Sequence, residues 1–314
     1  MNAIKVRDPY FDNVKFILIL LVVIGHFLEP CIQQNILLRS IYLFIYTFHM
    51  PAFVLISGYF SKIDKSPFKL RLITKFLIPY IIFQLLFMIF AYYFLPNQYD
   101  NSFINIFRPY YIYWYLLALF AWNLALPYFV KLKRRYAILV SILIGIFAGY
   151  FSFIDSMLSI SRILVFFPFF LIGYYLDKEM VIRLRELIKN KFAVIILLFI
   201  FLVYLCIGSS IDYRWLWGYF PYEHLQSSEW YAGIYRLGLY IIALIGIVTF
   251  CTLIPSNKTF YTNLGTRTLT VYLLHGFIVK LFYKFVPDYY FNSILLIFIA
   301  VVTTFLLSWC QAPH

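Results

Sequence analysis

The chain has 314 residues, of which 64% are hydrophobic, 23% aromatic and 12% charged, and its mean hydropathy is +0.85. Soluble domains are about half apolar and a quarter charged, so this composition excludes a water-soluble enzyme or a nucleic-acid-binding module, and it excludes disorder, which needs low hydrophobicity. The formal net charge of +13 then calls for a positional account, and four scattered cysteines (Cys31, Cys206, Cys251, Cys310) with neither C-x-x-C nor metal-ligand spacing point to no redox centre and no metal site.

A helix needs about 20 mostly apolar residues to cross a hydrocarbon core of about 30 Å. Ten segments are predicted to do so: 14–32, 38–60, 72–95, 110–130, 136–154, 160–177, 191–208, 232–254, 266–286 and 292–310. The expected fold is all-α: a polytopic integral membrane protein, a bundle of ten transmembrane helices in a single domain over 1–314, with both termini cytoplasmic. With the N-terminus inside, 19 of the 26 lysines and arginines fall on inner segments and 7 on outer ones. Acidic residues split almost evenly, so the excess positive charge is a positive-inside signal. The longest stretch between spans, 209–231, lies on the outer side and is dense in tryptophan, tyrosine and charge.

In chain order, the first span opens on Asp8-Pro9, an N-cap followed by proline at the first helical position. Its apolar run is short, but no small-x-small cleavage site follows in Leu28-Glu29-Pro30-Cys31-Ile32, so it reads as a retained helix. Asp12 and Lys15 are i, i+3 neighbours near the inner surface. Lys15 and His26 are eleven residues apart, about three turns with an offset near 20°, so both point the same way. Lys15 is either a cation at the mouth of a ligand path or an anchor that snorkels to the interface; His26 is either a chemical group or a helix-packing hydrogen bond. In the second span, Pro51 beside His49, with Ser57-Gly58-Tyr59 beyond, predicts an interrupted helix facing protein or a cavity. Trp114-Tyr115 and, in the outer stretch, Trp215 and Trp217 read as aromatic-belt residues or sugar-stacking platforms. Arg162 opens the sixth span as an interface anchor or a substrate contact, and in the ninth Tyr272 precedes His275 by one turn. Ionisable groups at membrane depth are costly and read first as functional. At 1.5 Å per residue, His26 lies about 16 Å from Lys15, His275 about 12 Å from Arg267 and His49 about 15 Å from Arg39. Three imidazoles therefore converge on the middle of the bundle.

These residues carry a resemblance. Arg7-Asp8-Pro9-Tyr10-Phe11-Asp12-Asn13-Val14-Lys15, continuing through Leu21-Val22-Val23-Ile24-Gly25-His26, resembles the opening signature of acyltransferase family 3, integral membrane O-acyltransferases that modify bacterial polysaccharides and other extracytoplasmic acceptors. Phe48-His49-Met50-Pro51 through Ile56-Ser57-Gly58-Tyr59-Phe60 is similar to its second-helix motif, and Phe166 through Tyr174 and Leu264-Gly265-Thr266-Arg267 through Tyr272-Leu273-Leu274-His275 also look family-like. The closest flavour is the fucose 4-O-acetylase-like branch. The family usually has arginine eleven places before its essential histidine; Lys15 offers a point charge where arginine offers a fork.

The resemblance implies transfer of an acyl group, acetyl first of all, from cytoplasmic acetyl-CoA to a hydroxyl of an extracytoplasmic sugar or surface polysaccharide. On that reading Lys15, Lys69, Arg71 and Lys75 take the donor phosphates, with Asp12 orienting Lys15. His26 is the general base or a transient acyl carrier, and His49 and His275 are a second proton carrier or hydrogen-bond the thioester carbonyl. Arg162, Trp114 and Tyr272 are the acceptor contacts. The expected partners are acyl-CoA, the glycan acceptor and membrane lipids, with no metal and no nucleic acid, and the expected location is the cytoplasmic membrane. The rival reading is a proton-coupled transporter or lipid-linked glycan flippase, for which midplane histidines and broken helices also serve. Against it stands the absence of a second pair of segments mirroring the first two.

Overall fold

The computed structural model describes residues 7–63, 68–95, 107–110, 112–154, 157–227, 229–286 and 293–309, with the side chains of 68 and 69 outside that set. Every helix and strand element among the described residues is helical. α1 (Pro9–Leu28) starts where expected: Asp8 accepts a hydrogen bond from the Tyr10 N–H at 3.1 Å and proline occupies the first turn. It closes in a single 3₁₀ turn, Glu29–Cys31. α2 (Ile36–Phe60) is capped by Asn35, whose Oδ1 accepts from the N–H groups of Leu37 and Leu38. Next come α3 (Phe68–Leu72), a π-helical turn over Ile73–Leu77, and α4 (Ile78–Phe94), which run on as one rod. The chain continues through α5 (Trp114–Phe129), α6 (Arg134–Phe147), α7 (Ile160–Tyr175), the short polar α8 (Lys178–Glu186) and α9 (Asn190–Ile207). It ends with α10 (Arg214–Trp217), α11 (Ala232–Leu253), α12 (Thr268–Phe285) and α13 (Ser293–Trp309).

Each of the ten segments expected to span coincides with one of these helices. Among the described residues, six helices are long and apolar enough to cross a membrane: Pro9–Cys31, Ile36–Phe60, Leu70–Phe94, Met157–Tyr175, Asn190–Ser210 and Ala232–Leu253. α5 and α13 are apolar but shorter. The peripheral helices turn apolar side chains outward, such as Ile82, Leu86 and Ile89 on α4 and Ile195, Leu198 and Phe199 on α9. In water such a surface would be a large liability; against acyl chains it is the expected one. This is a membrane protein.

α1 runs through the middle, packed on α2, α12 and α13. α2 packs most extensively on α7, and the reason is a pair of glycines. A Cβ on Gly58 would collide with the backbone carbonyl of Phe170, and one on Gly173 with that of Leu55. Small residues at both points let the two backbones touch. This corrects the expected interruption of the second span: α2 continues unbroken through Pro51 to Phe60, and Gly58 serves helix approach. Tyr42, Ile45, Tyr46, Phe48 and Val54 of the same helix are buried between its neighbours, so the helix passes Pro51 inside the packed bundle. The outer stretch folds back over the bundle, where Trp217 Nε1 donates to the Tyr42 hydroxyl at 2.7 Å and Arg236 donates to the Trp215 carbonyl at 2.9 Å.

Candidate active site

A cavity of about 480 Å³ opens between α1, α2, the π-helical turn, α5 and α12. At one end it is lined by Lys15, Lys62, Arg71 and Lys75, and His26 lies on its wall, eleven residues from Lys15 or about 16 Å along α1. Between them the wall is apolar and aromatic, with Ser57, Asn123, Trp114, Tyr115 and Tyr272. Its volume is that of a small-molecule site, and its form, cationic at one end and apolar along its length, fits an elongated anion.

The cationic end is built, not diffuse. Asp12 is 3% exposed and receives both Arg7 Nε and Lys15 Nζ at 2.7 Å. Its own backbone is pinned from behind, since a Cβ on Gly265 would strike the Asp12 carbonyl. Asp12 is thus the residue that places Lys15; it is outside the cavity lining, so the structure gives it no direct contact with a ligand there. Lys15 also lies over the Phe60 ring, 5.6 Å from its centroid. The π-helical turn sets Lys75 and Phe76 on the cavity wall with Arg71 and Leu72 just before it; such turns are frequent at functional sites. The side chain of Lys69 lies outside the described residues.

Away from the cations, His26 and His275 are close, their ring centroids 5.4 Å apart. Tyr46 bridges towards His49, 6.4 Å from the His26 ring and 4.6 Å from that of His49. The three imidazoles therefore form one cluster, but only His26 lines the cavity. His49 and His275 are buried and each sets Nδ1 2.8 Å from the carbonyl four residues back, Ile45 and Val271 respectively. A carbonyl only accepts, so each Nδ1 carries the proton and each Nε2 is left as a lone pair in the neutral ring. In its neutral form each ring then presents Nε2 as an acceptor. His275 Nε2 is buried with no hydrogen-bond partner among the described residues.

His26 differs. Its Nδ1 lies 3.3 Å from Glu29 Oε2, a pairing the expectation missed, although the i, i+3 spacing was there to signal it. Trp114 is 7% exposed, lines the cavity and stacks on Phe166 at 5.5 Å, so it is an inner-wall residue and not part of an aromatic belt. Arg162 is half-buried. Its guanidinium lies between the rings of Trp114 and Tyr219, at 4.9 and 4.7 Å, and Nε donates to the Trp217 carbonyl at 3.2 Å. Tyr272 lines the cavity with its ring, while its hydroxyl donates to the Ile112 carbonyl at 2.6 Å, tying α12 to the start of α5.

The chain matches the acyltransferase 3 family, described as an acyltransferase domain, over residues 8–311. It belongs to that family. Over 59 residues it is 49% identical to Nodulation protein NolL of Sinorhizobium fredii and to Nodulation protein NolL of Mesorhizobium japonicum. The matched stretch is 18% of this chain and 16% of the length of each of those relatives. No solved structure matches the chain.

Proposed function

We propose that this acyltransferase carries an acyl group, most simply acetyl, from acyl-CoA on the cytoplasmic side to a hydroxyl of an extracytoplasmic sugar or polysaccharide, working as one unit in the cytoplasmic membrane. A single observation carries the reading: in a member of an acyltransferase family, one cavity joins a cluster of cations to a histidine at membrane depth. In this scheme ten helices span and both termini are cytoplasmic, the arrangement that puts Lys15, Lys62, Arg71 and Lys75 on the positive inner side. The placement in the fucose 4-O-acetylase-like branch belongs to the same proposal and rests on the motifs around His26 and His49.

The donor phosphates would sit among those cations and the pantetheine arm along the apolar wall of α1, bringing the thioester to His26. His26 Nε2 takes the proton of the acceptor hydroxyl as its oxygen attacks the thioester carbonyl. The tetrahedral intermediate collapses, the C–S bond breaks, and the CoA thiolate takes the proton back from His26. The oxygen ester leaves towards the outer side, where Trp114 and the guanidinium of Arg162 offer a stacking face and a charge to the acceptor.

The test is His26→Ala in purified protein. Loss of a general base removes about 10²–10⁴ in rate, so acetyl transfer to the glycan fraction of the producing cells should fall to background. Thermal stabilisation by CoA should persist, which shows an intact fold and donor site. Parent-like acetylation by the variant would end the assignment of His26, and a parent protein indifferent to CoA would favour a transporter.

A further inference from the structure

On the acyltransferase reading above, we infer that Glu29 is a positioning residue, the carboxylate that selects His26 from the three clustered imidazoles as the working base and holds it with Nε2 ready to accept a proton. The backbone explains the placement. α1 gives way at Leu28 to the 3₁₀ turn Glu29–Cys31, which contains Pro30. Glu29 N–H still bonds back to the Gly25 carbonyl as in an α-helix, so Glu29 and His26 are i, i+3 neighbours on one face, with Oε2 3.3 Å from Nδ1. A carboxylate accepts, Nδ1–H donates, and the lone pair stays on Nε2.

Among the described residues His26 is the one histidine with a carboxylate partner. The distinction matters because a base becomes an imidazolium once it has taken the acceptor proton. His49 and His275 face neutral carbonyls on Nδ1, which fix a tautomer but bring no opposite charge; Glu29 does both for His26. Glu29 is outside the cavity lining, so it acts through His26. Arg162 of α7 and Lys280 of α12 lie within electrostatic reach of Glu29, as do the Tyr42 and Tyr46 hydroxyls of α2. No bond forms or breaks at Glu29. The proton it helps to accommodate goes from the acceptor hydroxyl to His26 Nε2 and then to the departing thiolate.

The experiment compares the full-length parent with Glu29→Gln and Glu29→Asp, following CoA release from acetyl-CoA with the glycan fraction as acceptor, and in parallel records histidine ¹⁵N NMR of the same proteins, with the His26 signal assigned by its loss in His26→Gln. Glu29→Gln should lower kcat by about 100-fold or more with the KM for acetyl-CoA within threefold, and Glu29→Asp should recover at least tenfold of that. The parent should show the neutral His26 ring protonated on Nδ1. A Glu29→Gln protein with kcat within threefold of the parent, or a parent in which neutral His26 carries its proton on Nε2, overturns the inference; the second measurement decides even if the variants do not fold. A parent that releases no CoA would refute the acyltransferase reading, while the NMR result would still decide whether Glu29 sets the tautomer of His26.

Discussion

On the proposed function, Lys15 is a side chain prepared for its ligand before that ligand arrives. Free on a helix it would sample many rotamers; here Asp12 and the Phe60 ring hold it at the cavity end, so little ordering remains to be done on binding. Asp12 is already shared with Arg7, which leaves the three-residue group with a net positive charge to offer a phosphate. Removing the ammonium should therefore act on the donor alone. Lys15→Ala should raise the KM for acetyl-CoA about tenfold, the scale of one charge-assisted hydrogen bond, with the KM for the acceptor unchanged. Initial-rate kinetics with each substrate varied in turn will show it, and equal changes in both constants would count against a phosphate role. The same reasoning predicts that raising ionic strength in the parent weakens the donor and not the acceptor, because partly exposed charges are screened.

At the scale of the element, α2 and α7 set the frame on which the site hangs. Their contact depends on two reciprocal glycine-to-carbonyl approaches, Gly58 on Phe170 and Gly173 on Leu55. The neighbours are backbone atoms and cannot rotate away, so added volume must push the helices apart. Gly58→Val and Gly173→Val should each cost about 1–3 kcal/mol or more through overpacking, read as a fall in the unfolding temperature of the detergent-purified protein. Gly238 is the internal control: a Cβ there meets nothing within 4 Å, and Gly238→Val should leave that temperature close to the parent value. Ser57 and Phe60, which flank Gly58 on α2, line the cavity, so the glycine variants should also weaken stabilisation by CoA.

For the whole molecule, the test of topology is chemical access. If the alternation of charge reflects orientation, cysteines introduced at Lys133 and at Ser210 lie on opposite sides of the membrane. In a background lacking the native cysteines, Ser210→Cys should react with a membrane-impermeant maleimide in intact cells, and Lys133→Cys only after the cells are opened. Labelling of both from outside would refute the ten-span arrangement.

Much of this architecture was legible in local sequence. The cap at Asp8-Pro9, the start of α11 at Ala232 and the ends of α2 at Phe60 and α9 at Ile207 all lie within a few residues of the expected boundaries, because apolar length and capping are properties of neighbours in the chain. So was the shared face of Lys15 and His26, since helical period alone decides which residues of one rod look the same way. What period cannot encode is how one rod is rotated against another. Only the packed bundle brings His275 beside His26, turns Trp114 inward and sets Arg162 between Trp114 and Tyr219. It alone makes Gly58 a contact point where a break was expected, and sets the π-helical turn so that Lys75 faces the cavity. The Glu29 pairing falls between the two cases: the spacing was visible, but the approach of Arg162 on α7 and Lys280 on α12 exists only once those helices have met.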